Sequence, residues 1–355
     1  MFLADDSKKV SSFKVLNLPA LKKVFKIYEL RKNDAVLIWT DDSKTIAPRL
    51  AKTFLVELKK IGCNVSIVVE KEQKKMSIAS KKTHKAIFSL VKGDTFVSIT
   101  SGGKGYLEKN GKRVIMRDLM TAKGFKMIYC GGLSSIKSNK VNNFFKAFDH
   151  DEKELIKLNE KISCAMKKTS IIKITCPLGT NLLLNIKNQP VIENHGDWRK
   201  YSTNYPVGET YAVPIENSAN GLAMISSYKV TGKTILPKKA VEMVFEKGLL
   251  VETNGKELAE NVNSAIKFNK SKKVKGAEEA VRRIAEIGIG TNKKASIVGA
   301  MICDEKVYGT AHIAIGANKH MGGKTQCYGH FDNVILSPTI WFDDKKIMEK
   351  GRLLL

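Results

Sequence analysis

Residues 35–69 read AVLIWTDDSKTIAPRLAKTFLVELKKIGCNVSIVV, and this stretch decides the fold of the first half of the chain. Ala35–Trp39 and Asn64–Val69 are short apolar runs of the kind that form buried strands. Between them, Ile46–Ile61 carries apolar residues at helical spacing, and Gly62 is a good stop signal for a helix. The order strand, helix, strand predicts a parallel strand pair joined by a crossover helix.

The same alternation of helix and strand continues on both sides of this unit. A helix is predicted to open at Asn17–Pro19, where proline stands at an early helical position. Further along, the pattern predicts a strand at Thr95–Ile99, a helix at Val114–Ala122 and a strand at Phe125–Tyr129. We therefore predict an α/β N-terminal domain with a mainly parallel sheet, over residues 1–165.

The character of the sequence changes after a charged helix predicted at about Asp151–Lys168. From Ile171 onward short strands dominate, and the helices predicted near Lys256–Lys267 and Ala277–Ala285 interrupt them. A last hairpin is predicted, with strands at Asn333–Phe342 and Lys346–Met348 and a turn at Asp343–Asp344. We predict an α+β C-terminal domain rich in antiparallel strands, over residues 166–355.

The net charge of +26 raises the possibility of a polyanionic partner such as nucleic acid. Arginine, which base readers and phosphate clamps favour, accounts for only eight of the 61 basic residues. The lysines are spread along the whole chain, and few lie among aromatic residues as a stacking platform requires. We favour a solvated lysine-rich surface and predict no specific nucleic-acid partner; attraction to a polyanion is the alternative.

Three observations bear on where the protein resides. No apolar run reaches the ~18 residues of a membrane span, so no membrane association is predicted. The N-terminal sequence MFLADD has no basic region followed by an apolar core, which argues against a secretory signal. The six cysteines are scattered without a Cys-x-x-Cys pair, as expected of free thiols in a reducing compartment. Together they predict a cytoplasmic protein.

The candidate site lies near the C-terminus, in the segments GTAHIAIG (309–316) and GHFD (329–332). His312 stands in an alternating run and is predicted to lie on a strand. His330 and Asp332 are two residues apart, so on a strand both side chains leave the same face. Two imidazoles and a carboxylate are plausible ligands for a divalent metal, although His312 alone fits a packed core histidine as well.

Two acidic residues strengthen the prediction of a metal site. Glu286 interrupts an apolar, glycine-rich run, and Glu209 also lies among apolar neighbours. A carboxylate in such surroundings is expensive unless it is paired or bound to a metal. Each acid could alternatively accept structural hydrogen bonds.

A glycine-rich segment beside the histidines, Gly322–Thr325, has the sequence GGKT and is similar to the end of a phosphate-binding loop. That motif requires another glycine five residues before Gly323, where this chain has Asn318. The match fails, and a turn is predicted.

Six segments of the C-terminal half, in order, resemble the aminopeptidase T family of metallopeptidases, which are related to leucyl aminopeptidases. They are NYPVGETYAVP, ENSANG, AEIGIGTN, GTAHIAIGAN, GGKTQCYGHFD and SPTIWFDDKKIMEKG. The resemblance implies a homodimer, removal of N-terminal residues from short peptides, and a site for Zn, Co or Mn between two domains. The implied metal ligands are Glu209, Glu286, His312, His330 and Asp332.

The sequence departs from the peptidase pattern at two positions. The peptidases have a further glutamate where this chain has Val307, and a tyrosine where it has Lys319. Lys319, His320 and Lys324 belong to the same loop and are candidates for binding a substrate carboxylate, although each could be a solvated loop residue.

The ENSANG segment and the spacing from GGK to His330-x-Asp332 also resemble 2,5-dihydroxypyridine dioxygenase, an iron(II) ring-cleaving enzyme. That enzyme has a histidine where this chain has Glu286. Two histidines and one carboxylate suit non-haem Fe(II), and His312, His330 and Asp332 can supply them. The leading prediction is a metal-dependent hydrolase acting on short peptides from the N-terminus. The alternative is a mononuclear iron(II) dioxygenase-like enzyme acting on a small ring compound.

Overall fold

The computed structural model describes residues 5–72, 75–102, 105–197, 199 and 204–355. The N-terminal sequence MFLADD, from which no secretory signal is predicted, begins with Met1–Ala4. These four residues lie outside the described part of the chain. In the part of the chain that is described, no helix is long and apolar enough to cross a membrane.

The chain divides into two compact units. The first comprises residues 1–149, 196–206 and 231–233, and the second comprises the remaining segments up to the C-terminus. The predicted boundary near residue 165 differs from this division, because the charged helix that precedes it belongs to the second unit.

The helices of the first unit are α1 (Ser7–Val10), α2 (Leu21–Ile27), α3 (Ala47–Lys60), α4 (Lys81–Phe88), α5 (Met116–Lys123) and α6 (Val141–Lys146). Its strands are β1 (Ala35–Asp41), β2 (Asn64–Glu70), β3 (Thr95–Thr100), β4 (Glu108–Lys109), β5 (Lys112–Arg113) and β6 (Lys126–Gly131).

Four of these strands form a parallel sheet in the order β2-β1-β3-β6, as the strand and helix alternation predicts. The helix α3 crosses between β1 and β2 and packs on the sheet through Leu50, Phe54 and Leu58, which recur every four residues and are fully buried. It ends before Gly62, whose φ of +84° suits glycine and whose N–H donates to the carbonyl of Lys59.

The helices of the second unit are α7 (Glu152–Met166), α8 (Lys256–Ser271), α9 (Ala277–Arg282) and α10 (Met301–Asp304). Its strands are β7 (Ile171–Thr175), β8 (Asn181–Asn185), β9 (Val191–Asn194), β10 (Glu209–Ala212), β11 (Asn220–Ile225), β12 (Ser227–Val230), β13 (Lys233–Ile235, beginning at a residue of the first unit), β14 (Val241–Glu246), β15 (Leu249–Thr253), β16 (Ile284–Gly290), β17 (Ala311–Gly316), β18 (His330–Ile335), β19 (Thr339–Phe342), β20 (Lys345–Glu349) and β21 (Arg352–Leu353).

These strands build two sheets rich in antiparallel pairs. The seven-stranded sheet has the order β13-β12-β18-β17-β16-β10-β9, and the eight-stranded sheet the order β15-β14-β11-β8-β7-β19-β20-β21. The helix α7 packs against β9 and β10, α8 against β12, and α9 against β17. The predicted fold class is confirmed: a parallel sheet in the N-terminal region is followed by antiparallel sheets in the C-terminal region.

In the second unit, one predicted helix extends too far and the first strand of one predicted hairpin begins too early. The helix predicted over Ala277–Ala285 ends at Arg282, because Arg283 is extended and Ile284 begins the wholly buried strand β16. The last predicted hairpin is formed by β19 and β20 with its turn at Asp343–Asp344, but its first strand begins at Thr339 and not at Asn333. Ser337, with a φ of +49°, separates β18 from β19, and the two strands belong to different sheets.

Candidate metal centre

Four neighbouring strands of the seven-stranded sheet carry the five predicted metal ligands. Glu209 lies on β10, Glu286 on β16, His312 on β17, and His330 and Asp332 on β18. These strands are adjacent in the order β18-β17-β16-β10. Residues that pair across antiparallel strands share a face of the sheet, and residues two apart on one strand do so too. The register therefore places all five side chains on the same face.

Small residues between the five side chains leave room for them. Gly288 pairs with His312, and a Cβ at Gly288 would lie only 2.1 Å from the His312 Nε2 atom. Ala314 pairs with Glu286 on one side and with Asp332 on the other. The imidazole of His312 thus occupies the space that any larger residue at position 288 would fill.

Glu286 lies between the two histidines. Its Oε1 atom is 3.1 Å from His312 Nε2, and its Oε2 atom is 3.2 Å from His330 Nε2. His312 Nε2 is also 3.3 Å from Glu209 Oε2, and His330 Nε2 is 2.9 Å from Asp332 Oδ1. The side chains form two overlapping ligand groups that share Glu286, and within each group the ligand atoms lie within 4.8 Å of one another.

Neighbouring polar groups orient several of these side chains. The carbonyl of Ala317 lies 2.8 Å from His330 Nδ1, so Nδ1–H can donate to it while Nε2 faces the carboxylates and is the atom available to a metal ion. Asn194 Nδ2 donates to Glu209 Oε1 at 3.1 Å, and Lys229 Nζ donates to Asp332 Oδ2 at 3.1 Å. Such outer contacts fix the tautomer and direction of metal-binding side chains.

The clustering of acids and imidazoles shifts their pKa values strongly. Burial alone would lower the pKa of His312 and His330, but hydrogen bonds and charge from the carboxylates outweigh it and raise both values to about 10. Burial alone would raise the pKa of Glu286, but the two histidines lower it to about 2. The pKa values of Glu209 and Asp332 are also lowered, against burial, by neighbouring lysine and histidine charges.

Three further charged residues join the cluster and were missed in the sequence analysis: Lys229, Glu305 and Lys306. The Lys306 side chain is fully buried, and its Nζ atom contacts the carboxylates of both Glu209 and Glu305. Burial raises the pKa of Glu305 to about 7 despite the charge of Lys306. The available signal was the charged run Asp304–Lys306 following the apolar residues Met301–Cys303.

The three predicted substrate-binding residues lie on the loop between β17 and β18. The ring of His320 contacts that of His330 edge to face, with ring centroids 5.4 Å apart. Lys319 and Lys324 are exposed, and Lys319 Nζ donates to the side-chain oxygen of Gln326 at 3.2 Å. Of the three, His320 is thus the one placed against a candidate ligand.

The donor set fits a divalent metal. Carboxylate oxygens and imidazole nitrogens suit Zn, Co, Mn and Fe(II). The Glu209 Oε2 atom is buried and, within the described part of the chain, makes no hydrogen bond of normal geometry although His312 Nε2 is close. A cation bound by the Glu209 carboxylate would satisfy this buried oxygen, as is expected of a metal ligand.

The buried cluster of carboxylates and imidazoles is a candidate divalent-metal centre of the kind found in metalloenzymes. A family model described as NicX, 2,5-dihydroxypyridine 5,6-dioxygenase, matches residues 148–355. The chain belongs to this family. No curated protein sequence matches the chain.

Two solved structures share the fold. One is 2,5-dihydroxypyridine dioxygenase from Pseudomonas putida, with a TM-score of 0.66 and 14% identity over 94% of this chain and 96% of that one. The other is wild-type AmpT from Thermus thermophilus, with a TM-score of 0.61 and 14% identity over 95% of this chain and 99% of that one. Both resemblances drawn from the sequence are thereby confirmed, at the level of family and fold.

Proposed function

We propose that the protein is a metal-dependent hydrolase that removes residues from the N-terminus of short peptides. The observation that carries this proposal is the position of Glu286, whose two carboxylate oxygens face two different ligand groups. A shared carboxylate is the arrangement expected where two metal ions lie side by side, as in two-metal aminopeptidases. All five candidate ligand positions carry the residues that the resemblance to the peptidases implies, which also supports a hydrolase.

A bound divalent ion would acidify a coordinated water and polarise the scissile carbonyl. Neighbouring residues hold the candidate ligand side chains in the orientation that such an ion would need. Ala317 orients the imidazole of His330, and Asn194 together with Lys306 holds one oxygen of Glu209 so that the other faces the cluster. His320, whose ring contacts that of His330, would contact a substrate, and the exposed Lys319 and Lys324 would offer positive charge to a peptide carboxylate.

A second candidate function is oxidative cleavage of a small ring compound by a single iron(II) ion. The family match over residues 148–355 favours it, because that family is described as a dioxygenase. His312, His330 and Asp332 supply two histidines and one carboxylate, the ligand types of many non-haem iron enzymes. Glu286, which stands between the two histidines, is the residue that separates the two proposals.

The deciding experiment compares the two activities on one preparation. Protein purified without added metal is analysed for its elements, then assayed for hydrolysis of leucine-containing dipeptides with Zn, Co or Mn. It is also assayed for oxygen uptake with Fe(II) and 2,5-dihydroxypyridine. Metal-dependent release of leucine without oxygen uptake supports the hydrolase, whereas Fe(II)-dependent oxygen uptake supports the dioxygenase and refutes the hydrolase.

A further inference from the structure

Asn318 ties together the two ends of the glycine-rich part of the loop between β17 and β18. Its side chain has no exposed surface. The Asn318 Oδ1 atom accepts a hydrogen bond from the backbone N–H of Thr325 at 2.9 Å, and the Asn318 N–H donates to the carbonyl of Thr325 at 3.0 Å. The Asn318 carbonyl also accepts hydrogen bonds from the N–H groups of Met321 and Gly323. One buried residue therefore closes this loop.

Gly323 shows how closely the loop fits around the Asn318 side chain. A Cβ at Gly323 would lie 2.3 Å from the Cγ and Oδ1 atoms of Asn318, so any larger residue at position 323 would displace the amide. A phosphate-binding loop would require glycine at position 318, where this chain has the asparagine. The glycine at position 323 thus accommodates the residue that breaks the phosphate-loop pattern.

The Asn318 side chain also contacts the strand that carries Glu286. The register of β16 against β17 shifts between Ile284 and Glu286, so Ala285 is an extra residue, as in a β-bulge. Asn318 Nδ2 donates a long hydrogen bond, at 3.4 Å, to the carbonyl of Ala285. A bulge beside a functional site sets the direction of the neighbouring side chain. This contact therefore bears on the direction of the Glu286 carboxylate, which both histidines contact.

The backbone at Asn318 bears on the direction of His330. The carbonyl of Ala317, which lies 2.8 Å from His330 Nδ1, belongs to the same planar peptide group as the N–H of Asn318. That N–H is bound to the carbonyl of Thr325, and the amide side chain of Asn318 holds the N–H of Thr325. Asn318 and Thr325 together therefore set the direction of the carbonyl that orients His330.

We propose that Asn318 is a positioning residue of the candidate metal centre. Its amide joins the bulge that presents Glu286 to the loop that orients His330, and it acts through these two side chains without contacting a metal ion or a substrate. Outer contacts of this kind change metal affinity by about ten- to a hundredfold. This inference rests on the metal centre of the proposed function, and it holds for either of the two reactions considered there.

The test is calorimetric titration of Mn²⁺ into the chelator-treated full-length protein, together with the visible absorption spectrum of the Co²⁺ form. Asn318→Ala removes both amide contacts and should lower Mn²⁺ affinity by about tenfold or more. The Co²⁺ spectrum depends on the geometry of the ligands, so its bands should shift in this variant. Gly323→Ala should have the same two effects by displacing the amide, and it serves if Asn318→Ala does not fold.

Asn333→Ala is the matched control. Asn333 is as deeply buried as Asn318, and its Nδ2 atom also donates to backbone carbonyls, those of Ile313 and Phe331. It follows Asp332 on β18, so its side chain lies on the face of the sheet opposite to the ligands. Asn333→Ala should lower stability to denaturant as Asn318→Ala does, because each leaves buried carbonyls unpaired. It should leave the Mn²⁺ affinity and the Co²⁺ spectrum unchanged.

Wild-type Mn²⁺ affinity and an unchanged Co²⁺ spectrum in both Asn318→Ala and Gly323→Ala would overturn the inference. Equal changes in Asn333→Ala would also overturn it, because they would follow from lower stability alone. Absence of metal binding by the wild type would refute the proposed metal centre as well. The expected changes in the two loop variants of a protein that hydrolyses no peptide would support the inference while refuting the hydrolase proposal.

Discussion

Gly288 on β16 lies directly opposite His312 on β17, and the imidazole of His312 occupies the place of the side chain that Gly288 lacks. The missing Cβ is what allows His312 Nε2 to reach both Glu209 and Glu286. The backbone at Gly288 does not adopt a positive φ, so a larger residue would be excluded there by the imidazole alone.

The first prediction concerns this contact. Gly288→Ala should push the His312 ring out of the cluster and lower Mn²⁺ affinity by about tenfold or more, as loss of a correctly oriented ligand does. Calorimetry measures the affinity, and circular dichroism checks that the fold is retained. Gly255→Ala, at the start of α8, is the matched control and should leave metal affinity unchanged. Unaltered affinity in Gly288→Ala would show that His312 is not a ligand.

The second prediction tests the ligands of β18. His330→Ala and Asp332→Ala should each lower metal content by about tenfold or more while leaving the fold intact, because each variant removes one donor. His84→Ala is the control, since His84 lies in the first unit and hydrogen-bonds there to Ser80 and Glu108. Wild-type metal content in both β18 variants would exclude these residues as ligands.

The third prediction concerns pH. His312 and His330 have pKa values of about 10 in the metal-free protein, so both are protonated at neutral pH. A metal must displace a proton from each imidazole that it binds, so metal affinity should rise with pH up to about 10. Titrations in buffers of different ionisation enthalpy should show proton release, and binding without it would contradict the assigned ligands.

The raised pKa values of His312 and His330 also determine how the stability of the metal-free fold changes with pH. Each histidine has a folded pKa above its ordinary value of 6.5, so its ion pairs stabilise the metal-free fold fully below pH 6.5. That stabilisation is lost as the pH rises from 6.5 to about 10. Denaturant unfolding at several pH values should show this loss, and saturating Mn²⁺ should remove it.

The fourth prediction addresses peptide hydrolysis. Val307 cannot ligate a metal, and Lys319 stands where the peptidases that the sequence resembles have a tyrosine that could stabilise a developing oxyanion, so wild type should cleave leucine-containing dipeptides, but slowly. The double variant Val307→Glu with Lys319→Tyr should cleave them faster. The backbone at Val307 runs close beside β16, since a Cβ built at Gly290 would lie 2.1 Å from the Val307 carbonyl oxygen. Gly290 is the register partner of Glu209.

Val307→Gln with Lys319→Phe is the matched control, because it changes the same positions without supplying the carboxylate or the hydroxyl. Wild-type turnover at a typical rate of about 10 per second or more would show that neither departure matters. It would also remove most of the support for the dioxygenase proposal.

The fifth prediction is that the high positive charge does not confer specific nucleic-acid recognition. Binding to duplex DNA or RNA should be weak and should fall steeply with salt, because dispersed lysines contact phosphates without reading bases. Fluorescence anisotropy across a salt series measures this. Tight binding to one defined sequence at about 0.15 M salt would overturn the prediction.

The sequence predicted the elements and the ligand candidates better than their arrangement. The strand carrying His312 and the shared face of His330 and Asp332 follow from a period of two. The sequence pattern does not predict that β10, β16, β17 and β18 are neighbours in one sheet, because strand order depends on contacts between distant segments. Lys306 was missed for a related reason: it follows a short helix without periodicity, and only the surrounding strands show that its charge is buried.

The register of these four strands has a consequence for how the protein is made. A slip of one residue between β16 and β17 would turn His312 to the opposite face of the sheet and separate it from Glu286. The ligands therefore come together only after strands far apart in the chain have paired, a slow step in folding. We therefore expect these strands to pair before a metal ion can bind to all of the candidate ligands at once.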